Sequence, residues 1–163
     1  MKNTLVFISV IFLIVGCSNK NAATPVKKDN VSRTSAIPEG VDVVIKENFF
    51  ITAINDIYLN RNDFMGKTIM LEGVFKYGEE EGREYCYVVR YGPGCCGDDG
   101  LVGFEVAWGS PIAGGKKTYP ETDSWVQAKG VLSKYDEMGS SFIYLSLKDM
   151  NTLEKRGIEY VSR

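Results

Sequence analysis

Lys67-Thr68-Ile69-Met70-Leu71-Glu72-Gly73-Val74-Phe75-Lys76-Tyr77 alternates along its length, with Ile69, Leu71, Gly73, Phe75 and Tyr77 on one side and Thr68, Glu72 and Lys76 on the other. A period of two marks a strand with one buried face. Gly73 inside the run weakens a flat sheet but permits the sharp bend of a barrel wall. Four further segments share this character. Glu84–Tyr91 alternates less cleanly, and Leu101–Trp108 gathers Val102, Phe104, Val106 and Trp108. Ser124–Tyr135 has Gly130 inside it, and Ser141–Lys148 places Ile143, Leu145 and Leu147 on one side. Gly78–Gly82, Ser110–Pro120 and Asp136–Ser140 read as turns and loops. Upstream, Phe49, Phe50, Ala53, Ile54, Ile57 and Tyr58 recur at helical spacing, with Asn48 placed to cap the start and Asn60 near the stop. One amphipathic helix followed by five short bent strands predicts a mainly β fold, a small OB-like five-stranded barrel. A two-layer α+β sandwich is the alternative.

The N-terminus carries a different kind of signal. Lys2 supplies a positive start, and Leu5–Ile8 with Ile11–Val15 supplies an apolar run too short for a membrane span. The run ends in Ile14-Val15-Gly16-Cys17, which resembles the bacterial lipobox, where the chain is cut before the cysteine and the cysteine is lipidated. Each buried methylene of such an anchor contributes roughly 0.8 kcal/mol to membrane retention. The polar stretch that follows, with Pro25 and Pro38, has no apolar period and reads as a tether. The expected organisation is a signal peptide over residues 1–16, lipidated Cys17 and tether over 17–40, and one globular domain over 41–163. Ser18 after the cysteine points to the outer membrane in a Gram-negative cell, and otherwise the anchor holds the chain to the cell membrane.

Composition narrows the chemistry. Lys+Arg 19 against Asp+Glu 21 gives none of the basic excess that a phosphate backbone requires, so no nucleic-acid partner is expected. The histidine count is 0, which excludes every Ser-His or Cys-His nucleophile pair and every imidazole metal ligand.

Between the second and third strands stands Tyr91-Gly92-Pro93-Gly94-Cys95-Cys96-Gly97-Asp98-Asp99-Gly100. One reading is a metal site, with Cys95 and Cys96 as thiolates, Asp99 or Asp98 as oxygen ligand and Cys86 as a third sulfur. Zinc suits that donor set, and thiolates also suit copper(I). Against it, zinc knuckles space their cysteines by two residues, and Cys86 lies five residues down a strand, roughly 16 Å away in extended geometry. A second reading is redox. Adjacent Cα atoms lie about 3.8 Å apart, below the usual disulfide range of roughly 4.4–6.8 Å, so a Cys95–Cys96 bond would be strained and readily reduced. Gly94 and Gly97 leave N–H groups free to stabilise a thiolate, while Asp98 and Asp99 raise a thiol's pKa.

A third reading is a binding loop, joined by an aromatic platform of Tyr85, Tyr87, Tyr91, Trp108 and Trp125, although aromatics at this spacing are more often core or cross-strand pairs. The structural reading is a staple from Cys86 to Cys95 or Cys96 in an oxidising compartment, leaving one thiol unpaired. Glu79-Glu80-Glu81 reads as a solvated turn that could take a weak calcium ion. Arg83, Arg90 and Lys116-Lys117 read as surface charge.

Asn55-Asp56-Ile57-Tyr58-Leu59-Asn60, Phe64-x-Gly66-Lys67-Thr68-Ile69-x-Leu71-Glu72-Gly73, the Cys95-Cys96 pair and Val102-Gly103-Phe104 together resemble a known bacterial domain. It is the C-terminal domain of the YcgQ-like family, described as subunits of two-component membrane permease complexes. The resemblance covers roughly residues 45–150, and Asp99 matches the family's aspartate three residues after the second cysteine. Gly97 and Asp98 depart from its small apolar residues, and the loop is one residue shorter before Val102. Family members carry transmembrane helices ahead of this domain, where this chain has the lipobox and tether.

The resulting expectation is a lipid-anchored envelope module that binds through the Cys-Cys loop. It would have a permease or other envelope protein as partner and serve transport or metal handling. The competing class is a thiol-disulfide enzyme using the vicinal pair. Mass spectrometry of the mature N-terminus is expected to show acylated Cys17, and an unmodified terminus at another residue would defeat the anchor.

Overall fold

In the computed structural model, which describes residues 37–80, 82–93, 99–112 and 118–161, five long strands close on one another. The described residues all belong to the unit Ser35–Arg163. A short strand β1 (Val43–Ile45) leads through a 3-10 turn (Glu47–Phe49) into α1 (Phe50–Leu59) and a single turn α2 (Arg61–Phe64). Then follow β2 (Thr68–Glu80), β3 (Arg83–Pro93), β4 (Asp99–Ala107), β5 (Trp125–Glu137) and β6 (Ser140–Thr152).

The sheet order is β1-β2-β3-β4-β6-β5, and β5 pairs again with β2, so β2 to β6 form a closed barrel. Every pairing within it is antiparallel except β4 with β6, which run parallel through Glu105↔Tyr144 to Ala107↔Ser146. That order with one parallel closure is the OB-like arrangement expected from the strand pattern. β1, which the alternation did not mark, lies parallel to β2 from Val43↔Ile69 to Ile45↔Leu71.

The bend in β2 falls where the sequence put it. Thr68–Val74 pairs with β5, and Val74–Glu80 pairs with β3. Two sheet directions meet at Gly73, where a Cβ would lie 2.6 Å from the Val89 carbonyl oxygen. Gly103 in β4 is tighter still, since its Cβ would lie 2.1 Å from the Val88 oxygen. In β5 the register shifts between Lys129 and Gly130. The β5–β6 hairpin closes through Met138 and Gly139, both at positive φ, as a two-residue turn of that hand requires. Strands therefore run further than predicted at both hairpins, into Glu80 and Glu137, because cross-strand pairing extends to the turn itself.

Ile69, Leu71, Phe75, Cys86, Val88, Phe104, Val106, Leu132, Ile143 and Leu145 fill the barrel. Against it α1 lays Phe50, Ile51, Ile54 and Ile57, spaced to share one face. Full burial of such side chains stabilises by about 1.5–3 kcal/mol each. Asn60 ends the helix as expected, but Asn48 does not cap it. The 3-10 turn occupies that position, and Phe49 stands at the N-cap with no side-chain bond.

Two residues read as surface charge are corrected here. Arg90 is 2% exposed, and the Arg83 side chain is 15% exposed. In β3 the inward parity runs Cys86, Val88, Arg90, so Arg90 points into the barrel's end. There its Nε donates to the Glu72 carbonyl at 2.9 Å. Nη1 donates to the Ile158 carbonyl at 2.9 Å and to Glu47 Oε1 at 3.3 Å. Its guanidinium lies 4.7 Å from the Phe50 ring centre and 4.9 Å from that of Trp125. Burial lowers its pKa, and Glu47 works against that.

The chain after β6 completes this end. Beyond Val89, β3 has no partner in β2, and the segment Ile158–Val161 takes that place. Tyr91 N–H donates to the Glu159 carbonyl at 2.9 Å, and Val161 N–H donates to the Tyr91 carbonyl at 2.7 Å.

Gly103→Ala is expected to destabilise by about 1–3 kcal/mol, because backbone rather than a flexible side chain must yield. Gly78→Ala, also in β2–β3 pairing but with nothing within 4 Å of its Cβ, should stay within about 0.5 kcal/mol of the parent. Urea unfolding of the two variants separates these outcomes.

Candidate functional site

The outward parity of β3 and β4 builds a cleft. Core residues Val88, Phe104 and Val106 point inward, so Tyr85, Tyr87, Val89, Leu101, Gly103 and Glu105 point out. Tyr58 and Arg61 from the helices wall one side, and Tyr135, Glu137 and Phe142 from the β5–β6 hairpin wall the other. The space between is about 560 Å³, within the range of small-molecule and peptide sites.

An ion-pair network holds one end of this cleft. Arg83 Nη2 donates to Tyr135 Oη at 2.9 Å and to Glu105 Oε1 at 3.2 Å, and Nη1 donates to Glu137. Tyr135 in turn donates to Glu105 Oε2 at 2.6 Å. The guanidinium stacks 4.4 Å above the Tyr85 ring, and Tyr135 stacks on Phe142 at 5.5 Å. Burial works against the Arg83 charge, but the Glu137 and Tyr135 hydrogen bonds outweigh it and hold the pKa above its usual value. Burial and the Glu105 bond raise the Tyr135 phenol. At the other wall Tyr58 stacks on Phe104 at 5.4 Å and donates to the Gly103 carbonyl at 3.1 Å. Burial, then Glu105, pushes its pKa up to about 12. These groups all move away from neutrality, so they act as fixed donors and cations. The arrangement is suited to holding a ligand.

A second cavity of about 340 Å³ opens near the β2–β3 turn, lined among others by Glu84, Cys86, Glu105, Ile112 and Tyr119. Cys86 is a free, buried thiol there. Desolvation pushes its pKa up to about 11, with a hydrogen bond to Tyr119 pulling the other way.

Cys95, Cys96 and Asp98, like Cys17, Glu81 and Lys116-Lys117, lie outside the described residues. Asp99 opens β4 with its backbone paired to Pro93, so the Cys-Cys loop joins β3 to β4. Cys86 stands seven residues before Pro93 in β3, roughly 23 Å along an extended strand, and its side chain faces the core. It is not at the end of β3 from which the loop leaves. Among the described residues no group of three Cys, Asp or Glu is placed to hold a metal ion.

The five aromatics of the expected platform separate. Tyr85 and Tyr87 line the cleft. Tyr91 stacks on Tyr160 at 5.1 Å. Trp125 is buried, and Trp108 is half-buried, with its backbone N–H donating to Tyr119 Oη at 3.3 Å. The sequence reading missed Tyr58, Tyr135, Phe142 and Glu105 as cleft residues, and Arg83 as the cation that holds three of the cleft's side chains. Strict parity through Phe104 and Val106 would have placed Glu105 outward. Nothing local showed that the β5–β6 hairpin folds toward it.

The DUF1980 C-terminal domain description matches residues 20–163. The chain belongs to this family. It is a family of unknown function related to YcgQ. UPF0703 protein YcgQ of Bacillus subtilis (strain 168) is 26% identical over 125 residues, covering 75% of this chain and 42% of that relative. The chain thus spans less than half the length of that relative. A solved structure, the dimeric N-terminal domain of PriB protein from Thermoanaerobacter tencongensis, aligns with 54% of this chain and 97% of its own, at 13% identity and a TM-score of 0.31. The fold of this DUF1980 C-terminal domain rests instead on its own strand order and register. No helix among its described residues is long and apolar enough to cross a membrane.

The raised thiol gives a pH prediction. Between its ordinary value near 9.0 and about 11 the folded domain binds more protons at Cys86 than the unfolded chain. Its contribution to stability is therefore complete below pH 9 and declines as pH rises toward 11. Urea midpoints are expected to fall over that window, less steeply in Cys86→Ala. Cys86 should also resist alkylation in the folded chain at pH 8 and react on unfolding.

Proposed function

We propose that this chain is a non-catalytic binding module, anchored through Cys17 to the cell envelope and serving a transport or metal-handling system there. The single observation that carries the binding role is the cleft on the outer face of β3 and β4. In OB-like barrels this face, with the turns joining barrel strands 1–2 and 4–5, is the usual ligand surface. Here those turns are β2–β3 and β5–β6; Glu137 beside the second lines the cleft, and Arg83 beside the first holds the cleft residues Glu105, Tyr135 and Glu137 from behind. The support is a fold-level analogy joined to local chemistry: rigid tyrosines and fixed donors lining the space.

The β3–β4 hairpin has two ends, and the loop bearing Cys95 and Cys96 belongs to the other one. A ligand along the hairpin would meet both. Cys95, Cys96, Asp98 and Asp99 are the contacts we assign to zinc or another thiophilic metal. The buried position of Cys86 argues for leaving it out.

Metal content and thiol counts of the purified full chain test this assignment. One equivalent of zinc, lost in Cys95→Ser and Cys96→Ser but kept in Cys86→Ala, is the expected result. A metal-free chain with an easily reduced bond between Cys95 and Cys96 would replace the metal role with thiol-disulfide chemistry. A metal-free chain with both thiols inert would leave only the cleft.

A further inference from the structure

β4 is nine residues long, yet β6 pairs with it only at Glu105, Val106 and Ala107. From Phe104 back toward Asp99 its second edge has no strand beside it among the described residues. The direction of the backbone groups there follows from the ladder. Tyr91 gives its N–H and carbonyl to Glu159 and Val161, away from β4. In an antiparallel pair, residues directly opposite one another alternate between bonded and non-bonded pairs, so Tyr91↔Leu101 is non-bonded. The N–H and carbonyl of Leu101 therefore face away from β3, as do those of Gly103 two residues on. The Gly103 carbonyl confirms the parity by accepting the Tyr58 hydroxyl on that side. The Leu101 N–H, the Leu101 carbonyl and the Gly103 N–H are thus offered to the cleft.

We propose that the cleft takes an extended peptide as an added strand along this edge of β4, with apolar side chains alternating and an acidic residue at the helix side. The proposal rests on the cleft being the binding surface. An unpaired strand edge is a template for pairing, and main-chain bonds supply much of the affinity in strand addition. Around the edge stand three exposed apolar groups, Leu101 at 57%, Phe142 at 44% and Tyr58 at 46%. They form seats for every second side chain of an incoming strand. Charge selects the rest. Glu105 and Glu137 are paired with Arg83, whereas Arg61 is in no ion pair among the described residues. Arg61 also lines an adjoining cavity of about 150 Å³ beside Lys134. That corner complements a carboxylate. Two acidic residues at the far end, with their one arginine already engaged, disfavour a phosphate backbone.

The probe is a fluorescein-labelled octapeptide of alternating valine and glutamate, titrated into the full chain in detergent, with amide exchange followed by NMR. Without peptide, the Leu101 and Gly103 amides are expected to exchange much faster than those of Val102 and Phe104. At saturation both should slow at least tenfold. Two versions of the peptide, N-methylated at the valines or at the glutamates, should differ at least tenfold in affinity, since only one set of donors faces β4. Arg61→Glu, an exposed change that leaves the barrel intact, should weaken binding about tenfold. Unchanged exchange at Leu101 and Gly103, or equal binding of the two methylated peptides, overturns strand addition. Oligothymidylate or a glucan hexamer protecting the cleft while the peptide does not would overturn the peptide and keep the cleft. Failure of all three ligands would remove both.

Discussion

A buried guanidinium fixes the closed end of this barrel. Taking a cation out of water costs several kcal/mol unless its donors are met and an opposite charge lies close. Arg90 meets that requirement with parts from five places in the chain: the Glu47 carboxylate before α1, the Glu72 carbonyl in β2, the Ile158 carbonyl after β6, and the aromatic faces of Phe50 in α1 and Trp125 in β5. The same Glu47 oxygen accepts the Ile158 N–H, so the carboxylate serves both the cation and the segment that partners it. Apolar packing alone would let the helix slide over the barrel mouth. A set of directional bonds to one planar group does not.

That anchoring leaves the opposite end and outer face of the barrel free of structural duty. Arg83 and Arg90 share one strand and opposite parities, and their contrasting surroundings follow. Arg90 is enclosed by neutral carbonyls and rings with one carboxylate. Arg83 lies beside the cleft between two carboxylates and two tyrosines, and so ties the β3 border of that space to the β5–β6 border. The β3–β4 hairpin therefore runs from a charged, pre-set end to the glycine-flanked loop of Cys95 and Cys96.

The barrel was legible in the sequence because its signals were local. Ile69, Leu71 and Phe75 declared a face, Gly73 declared a bend, and Ile143, Leu145 and Leu147 declared another face; all lie as read. What stayed hidden depended on partners distant in sequence. A charged residue at an inward position looks like broken alternation until Phe50, Trp125 and Ile158 surround it, which is why Glu84–Tyr91 alternates poorly as a sequence and Arg90 resembles surface charge there. The cleft was hidden for the same reason. Tyr58 belongs to the helical stripe by spacing, and only the meeting of α1 with β4 turns its hydroxyl toward Gly103. The vicinal cysteines stood out by composition, whereas the cleft shows only through topology.

The reliance of β3 on the stretch Ile158–Val161 has a bearing on biogenesis. A nascent chain that has emerged only as far as Thr152 holds every barrel strand but neither the carbonyl for Arg90 nor the backbone partner of Tyr91. The barrel then has an unsatisfied cation at its base and stays easy to open. Consolidation therefore waits for residues made after every strand of the barrel, and until they emerge the closed end has no lock.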